Sequence, residues 1–186
     1  MTLRSALAAF AAAAALALQP SVGAAVQSAP QLVDQTGRTF TFESLRGRPL
    51  IVTFVSAHCT DACPLVNAQF ADAAERIAQR HLSTRLLTIT LDPANDPPSL
   101  MRALARRFAA DPRYWLVASG RPADVDAVLN AFGVVARLGK SGYREEHTTF
   151  VYVLDSSGKL SKTMLASTGL TGDIVDAARS LQPRTG

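Results

Sequence analysis

"PLIVTFVSAHCTDACPLVNAQF", Pro49 to Phe70, decides how this chain folds. Its first part, Pro49 to Ser56, is a continuous apolar run with β-branched residues, the pattern of a central strand buried on both faces. The period then changes. Val66, Phe70, Ala73 and Ile77 recur at helical spacing while Asp72, Glu75, Arg76 and Gln79 face away, so an amphipathic helix follows. Between strand and helix lie both cysteines of the chain, Cys59 and Cys63, with Pro64 directly after the second. The pattern places Cys59 just beyond the carboxyl end of the strand and Cys63 in the first helical turn, with Thr60 or Asp61 as the N-cap. Pro64 is tolerated there because an N–H in the first turn has no helical partner.

That position has chemical consequences. Free main-chain N–H groups and the positive end of a helix dipole favour thiolate over thiol. A disulfide between residues four apart closes a tiny loop and stabilises far less than one tying distant segments together. A purely structural bridge is therefore disfavoured. Two chemistries remain open: a disulfide that opens and closes, and a pair of thiolates that hold a metal.

Outward from this stretch the chain alternates. Before it, "PQLVDQTGRTFTFESLRG" reads as a short strand, a turn at Gln35-Thr36-Gly37 and a second strand from Arg38 to Phe42. After it come a buried strand from Thr84 to Asp92 and a helix from Leu100 to Phe108, with Asp96 before Pro97-Pro98 as its cap. "RYWLVAS" reads as a strand, "ADVDAVLNAF" as a helix stopped by Gly133, and "GKSGYREE" as a polar loop. "TTFVYVLD", Thr148 to Asp155, is a strand that turns at Ser156-Ser157-Gly158 into "KLSKTML", and the last helix spans Asp173 to Leu181. Strands alternating with helices, plus hairpins at both ends, define an α/β fold: a central mixed sheet with helices on both faces and an N-terminal β-hairpin.

Composition sets the bounds. A chain of 186 residues, 48% apolar and 18% charged, supports one globular domain. The net charge of +4 comes from arginines scattered among acids with no interleaved aromatics, which argues for solvated helix faces and against nucleic acid. Residues 1–24 read as an export signal, cleaved after Val22-Gly23-Ala24: a positive start, an apolar run from Ala6 to Leu18, then small residues. That run is shorter than the about 20 apolar residues a membrane span needs, so an uncleaved inner-membrane anchor is the alternative. Residues 25–30 form a polar lead-in and 31–186 the folded domain. The expected location is the periplasm, where paired thiols ordinarily oxidise.

A metal reading needs a third ligand, and the chain has three histidines. His58 adjoins Cys59 and is expected to point away from it, because neighbouring side chains alternate along a strand. His81 ends the first helix, where a cation suits the dipole. His147 opens the apolar strand after the polar loop, and its position alone leaves open a third ligand or an ordinary loop histidine. Tyr143, Trp115 and Phe150 read as packing residues, and Asp92 and Asp96 as turn and helix-start residues.

Four segments, in order, resemble the Sco/SenC family of periplasmic and mitochondrial copper-binding proteins. "LVDQTGRTFTFESLRGRPLIVTFV" is similar to the family's opening hairpin and first core strand, and "CTDACP" to its C-x-x-x-C-P motif. "TLDPANDPPSL" is similar to its S-x-D-P-x-x-D-T-P segment, and "YREEHTTFVYVLD" to its Y-x-x-D-H-[ST]-x-x-x-Y-L-[IL]-D segment. In this chain Thr60 follows the first cysteine where many members have proline, Pro97 replaces threonine, and Glu146 replaces the aspartate before the histidine.

The resemblance implies a thioredoxin-like fold, with Cys59, Cys63 and His147 as ligands to a copper ion, Cu(I) or Cu(II). It also implies a metallochaperone that delivers copper to the copper-bearing subunit of cytochrome c oxidase, meeting other periplasmic copper chaperones or thiol reductants on the way. Two soft thiolates and an imidazole suit Cu(I), whereas zinc generally takes four ligands and hard cations take oxygen. The Glu146 substitution bears on the surroundings of the third ligand.

The alternative is a thiol-disulfide oxidoreductase, with Cys59 and Cys63 as its redox dithiol, that reduces the cysteines of the oxidase subunit or of other periplasmic proteins. Oxidoreductases of this fold usually have C-x-x-C spacing and a cis-proline facing the dithiol; here the spacing is C-x-x-x-C and that place reads Glu146-His147-Thr148, which favours copper. A peroxidase of similar fold would need a strongly nucleophilic Cys59 with arginine and threonine partners, and none is identifiable.

Overall fold

The computed structural model describes residues 29–60, 62–140, 142–146 and 149–182. The expected export signal, Asp61 and His147 therefore lie outside the described residues.

Nine strands and four helices occur in the order β1 (Leu32–Asp34), β2 (Thr39–Phe40), β3 (Leu50–Val55), α1 (Ala62–Gln79), β4 (Arg85–Thr90), α2 (Pro98–Arg107), β5 (Trp115–Gly120), α3 (Pro122–Ala131), β6 (Arg137–Leu138), β7 (Arg144–Glu146), β8 (Phe150–Leu154), β9 (Leu160–Leu165) and α4 (Leu170–Ser180). Seven strands form one mixed sheet in the order β2-β1-β5-β4-β3-β8-β9. β3, β4 and β5 run parallel, with Ile51 opposite Leu86 and Leu86 opposite Trp115, and the remaining pairs are antiparallel. β3 is fifth in that order, flanked by β4 and β8, and all six of its residues are buried. This is the environment its unbroken apolar run requires.

The sheet separates two packed layers. On one face Ile51, Val55, Leu86 and Trp115 meet Val66, Phe70 and Ile77 of α1, Met101 of α2 and Ile174 of α4. On the other, Val52, Phe54, Leu87 and Ile89 meet Val125, Val128 and Leu129 of α3. Phe70 is fully enclosed, its ring 6.0 Å from that of Trp115, whose indole Nε1–H donates to the Thr88 hydroxyl at 2.9 Å. Helices on both faces of a mixed sheet, with an N-terminal hairpin, are as expected.

Four elements depart from the sequence reading. The second strand of the first hairpin ends at Phe40 and not Phe42, because Thr41 and Ser44 exchange side-chain-to-main-chain hydrogen bonds that start a 3-10 turn over Glu43–Leu45. α2 begins at Pro98, a position where proline is preorganised, and no side chain caps it. α4 begins at Leu170, which is wholly buried and ties the first turn to the core. The segment read as a polar loop, residues 139–146, supplies the turn and second strand of the β6–β7 hairpin, closed by the Gly139 N–H to Tyr143 carbonyl hydrogen bond at 2.7 Å with Gly142 at φ +84°.

Candidate metal and dithiol site

The carboxyl ends of β3 and β4 lie side by side, and the loops that leave them build the site. The Leu91 N–H donates to Val55 O at 2.9 Å, which extends the pairing to the last turn before the cysteines. Ser56 then redirects the chain: its hydroxyl takes the His58 N–H and its carbonyl the Cys59 N–H, each at 3.2 Å. The crevice beyond the carboxyl ends of parallel strands is where α/β sheets ordinarily bind ligands.

Cys59 and Cys63 are both free and face each other across the first turn of α1. The Cys63 N–H donates to Cys59 Sγ at 3.3 Å, so Cys59 takes one of the amides that a helix start leaves unpartnered. Cys59 is half-buried and Cys63 is 2% exposed, beneath it and against the core. Burial pushes the Cys63 thiol up to about 12, helped by its hydrogen bond and charge interaction with Cys59 and by the charge of Asp96, and only partly offset by the Ser56 main chain. A second thiolate here is therefore unfavourable until a cation arrives to share both sulfurs.

The β4–α2 loop closes one side. Asp96 is the correction to the expected helix cap: its carboxylate turns inward, wholly buried, and accepts the Ala57 N–H at 2.9 Å and the Thr90 hydroxyl at 2.7 Å. Its other oxygen, Oδ1, has no hydrogen-bond partner among the described residues and lies 3.6 Å from His58 Nε2. Burial raises the Asp96 pKa, with the Ala57 amide, the Thr90 hydroxyl and His58 pulling it back. Asp92 does more than turn the chain. Its Oδ2 takes the side-chain amide of Asn95 at 2.9 Å and the main-chain N–H of Arg144 at 3.0 Å.

The β6–β7 hairpin closes the other side. Arg144 is fixed three ways, through the Asp92 bond and through its guanidinium to Leu91 O at 3.1 Å and Asp126 Oδ1 at 2.6 Å. Tyr143, expected to be a packing residue, stacks on the ring of His58 at 4.0 Å between centroids and 11° between planes. The hairpin is thus bound to both loops three residues before His147. His81 sits apart, exposed beyond the end of α1 with φ +52°.

Among the described residues no three histidine, cysteine or acidic side chains converge to hold a metal ion. The structure brings Cys59 and Cys63 together; His147 lies outside what it describes. Sequence reasoning missed the inward turn of Asp96 and the His58–Tyr143 stack. The adjacency of His58 to Cys59 was the available signal for the second.

A mixed sheet with this strand order, whose central strand delivers two thiols to a helix start, defines a thioredoxin-like dithiol protein. The sequence profile of the SCO1/SenC family matches residues 19–181, and the chain belongs to that family. An SCO2-like protein of Rickettsia typhi is 26% identical over 137 residues, covering 71% of this chain and 66% of that protein. The chain spans about two thirds of the length of such curated relatives. Bradyrhizobium japonicum ScoI, solved with copper bound, superposes with a TM-score of 0.70 at 27% identity over 82% of this chain and 96% of the other. A SCO1/SenC family lipoprotein from Bacillus anthracis shares the fold with a TM-score of 0.72 at 22% identity, over 81% and 91% of the two chains.

Proposed function

We propose that this protein is an exported copper metallochaperone in which Cys59, Cys63 and His147 hold copper for delivery to the copper-bearing subunit of cytochrome c oxidase. The carrying observation is the dithiol itself: Cys59 and Cys63 share one hydrogen bond, and the buried member resists ionisation without a neighbouring positive charge. Copper bound in the structure of Bradyrhizobium japonicum ScoI supports the choice of ion. The donor set supports it too, since thiolate pairs favour soft Cu(I) over hard cations.

The work of the chain's own residues follows from the geometry. Cys59 and Cys63 each give up a proton as they bind, so uptake strengthens as pH rises. The hairpin fixed by Arg144 and Tyr143 sets where His147 is delivered, and withdrawal of that imidazole exposes the two sulfurs to a competing ligand. Transfer to a partner is ligand exchange and breaks no covalent bond. Residues 1–24 act as the export signal, which places the domain in the periplasm, either free or held at the inner membrane if the signal is kept. Among the described residues no helix is long and apolar enough to cross a membrane.

Metal analysis of the reduced full chain tests this reading. Copper is retained by the native protein, lost on Cys59→Ser or Cys63→Ser, and held more weakly by His147→Ala. One observation also favours a second reading: both thiols are free and Cys59 is the accessible one, as a reductase of the oxidase subunit's disulfide would require. If His147→Ala leaves copper affinity unchanged while the native dithiol reduces insulin with turnover, the reductase is the better account.

A further inference from the structure

The end of the sheet opposite the cysteines carries a second built feature. Arg85 opens β4, and its side chain leaves the sheet on the same face as Leu87 and Ile89. It is half-buried, and its Nε is enclosed without a hydrogen-bond partner. Arg48 precedes Pro49, whose carbonyl takes the Arg85 N–H at 3.0 Å, and Arg38 stands on the β1–β2 turn. Burial and the charges of Arg48 and Arg38 all lower the Arg85 pKa, with Asp34 acting the other way. Among the described residues none of these three guanidinium groups has an ion pair or a side-chain hydrogen bond.

Arg38 and Arg85 line a cleft of about 440 Å³ floored by Leu45 and Leu116, a volume within the range of small-ligand sites. Its other charged members are already committed. Arg113 is held by Asp111 through three hydrogen bonds, and Asp34 Oδ1 takes the N–H and hydroxyl of Thr36 and the N–H of Arg38. Arg38 and Arg85 in the cleft, with Arg48 beside it and close enough to act on Arg85, stand against the single charge of Asp34, an excess of two. A guanidinium presents paired N–H groups that match two oxygens of a tetrahedral anion, and such an anion would relieve the mutual repulsion.

We propose that this cleft binds a multivalent phosphate-class oxyanion, free or carried on a lipid headgroup, through Arg38 and Arg85, with Arg48 adding positive charge from beside the cleft. The site is separate from the dithiol and does not depend on the copper reading. The test titrates the copper-free full chain with sodium pyrophosphate by calorimetry at about 0.15 M salt, where diffuse surface attraction is largely screened. In parallel, the chain is co-sedimented with phosphatidylglycerol vesicles and with phosphatidylcholine vesicles. The expected result is saturable binding to pyrophosphate, to phosphatidylglycerol or to both, at least tenfold weaker in the exposed double variant Arg38→Gln/Arg48→Gln and in Arg85→Gln. Binding to pyrophosphate alone identifies a free anion, and binding to phosphatidylglycerol alone identifies a headgroup. No binding to either probe, or an equal loss in the control Arg106→Gln/Arg107→Gln on α2, overturns the proposal.

Discussion

Cys59 and Cys63 are four residues apart yet meet solvent on different terms. Cys59 is half-buried at the mouth of the site, whereas Cys63 is enclosed and its thiol is pushed up to about 12, chiefly by burial. Alkylation of metal-free protein at pH 8 is therefore expected to modify Cys59 first. Cys59 in a Cys63→Ala variant should react at least about tenfold faster than Cys63 in Cys59→Ala, read by mass spectrometry against time. Equal rates would mean that Cys63 is as open to the reagent as Cys59, against its burial in the structure. Asp96 supplies a second test. Its pKa is raised by burial, so its contribution to stability is complete below the ordinary carboxylate value and is lost as pH rises through the raised one. Asp96→Asn mimics the protonated acid and should lose less stability than the native chain between pH 4 and 7 in urea unfolding. The carboxylates held low, Asp111, Asp124 and Asp155, act oppositely but equally in both proteins and cancel in the comparison. Asp96→Ala instead strands the Ala57 N–H and should cost about 1–3 kcal/mol.

The β6–β7 hairpin is the element that carries the chain toward His147, and its fastening is specific. Tyr143 stacks on His58, while Arg144 reaches Asp92, Leu91 and Asp126. Removing either anchor should misplace His147, the proposed third ligand, and leave the dithiol as it was. Tyr143→Ala and Arg144→Ala are expected to weaken Cu(I) binding about 10- to 100-fold in competition with a coloured chelator, with Cys59 alkylation rates unchanged and Tyr143→Phe close to native. A loss of thiol reactivity alongside would assign these residues to the fold as a whole. Elements differ in how openly their residues declare them. β3 and α1 were legible because an unbroken apolar run and a 3.6-residue period have no other economical reading. β7 was not, since "GKSGYREE" has no apolar alternation and its pairing with β6 depends on Gly142 at positive φ and on an arginine anchored elsewhere. Asp96 misled for a related reason. An acid before two prolines reads locally as a helix cap, and only the packing of the β4–α2 loop against Ala57 turns it inward.

At the scale of the molecule, the parallel core of β3, β4 and β5 divides the chain into two chemically unlike ends. The amino end of β4 gathers unpaired arginines, and the carboxyl ends of β3 and β4 gather the thiols and the buried acid. This division follows from strand direction, which the crossovers through α1 and α2 impose. The two cysteines were legible because they straddle the strand-to-helix junction, whereas the arginine cluster joins residues from three separate segments and leaves no trace in any one of them. The same architecture couples the proposed metal site to global stability. Cys63 belongs to α1, whose Phe70 and Ile77 are fully buried in the larger core layer, so unfolding α1 destroys the site and the core together. A ligand present at 100 times its dissociation constant that binds only the folded state stabilises it by about 2.7 kcal/mol. For a domain of this size each kcal/mol moves the melting temperature by about 2–4 °C. Saturating Cu(I) under reducing conditions should thus raise the calorimetric midpoint by roughly 5–11 °C. The rise should vanish in Cys63→Ser and shrink in His147→Ala. A midpoint indifferent to copper in the native chain would separate the dithiol from the metal, because binding at a site built across α1 and the β3 loop cannot leave the folding equilibrium unmoved.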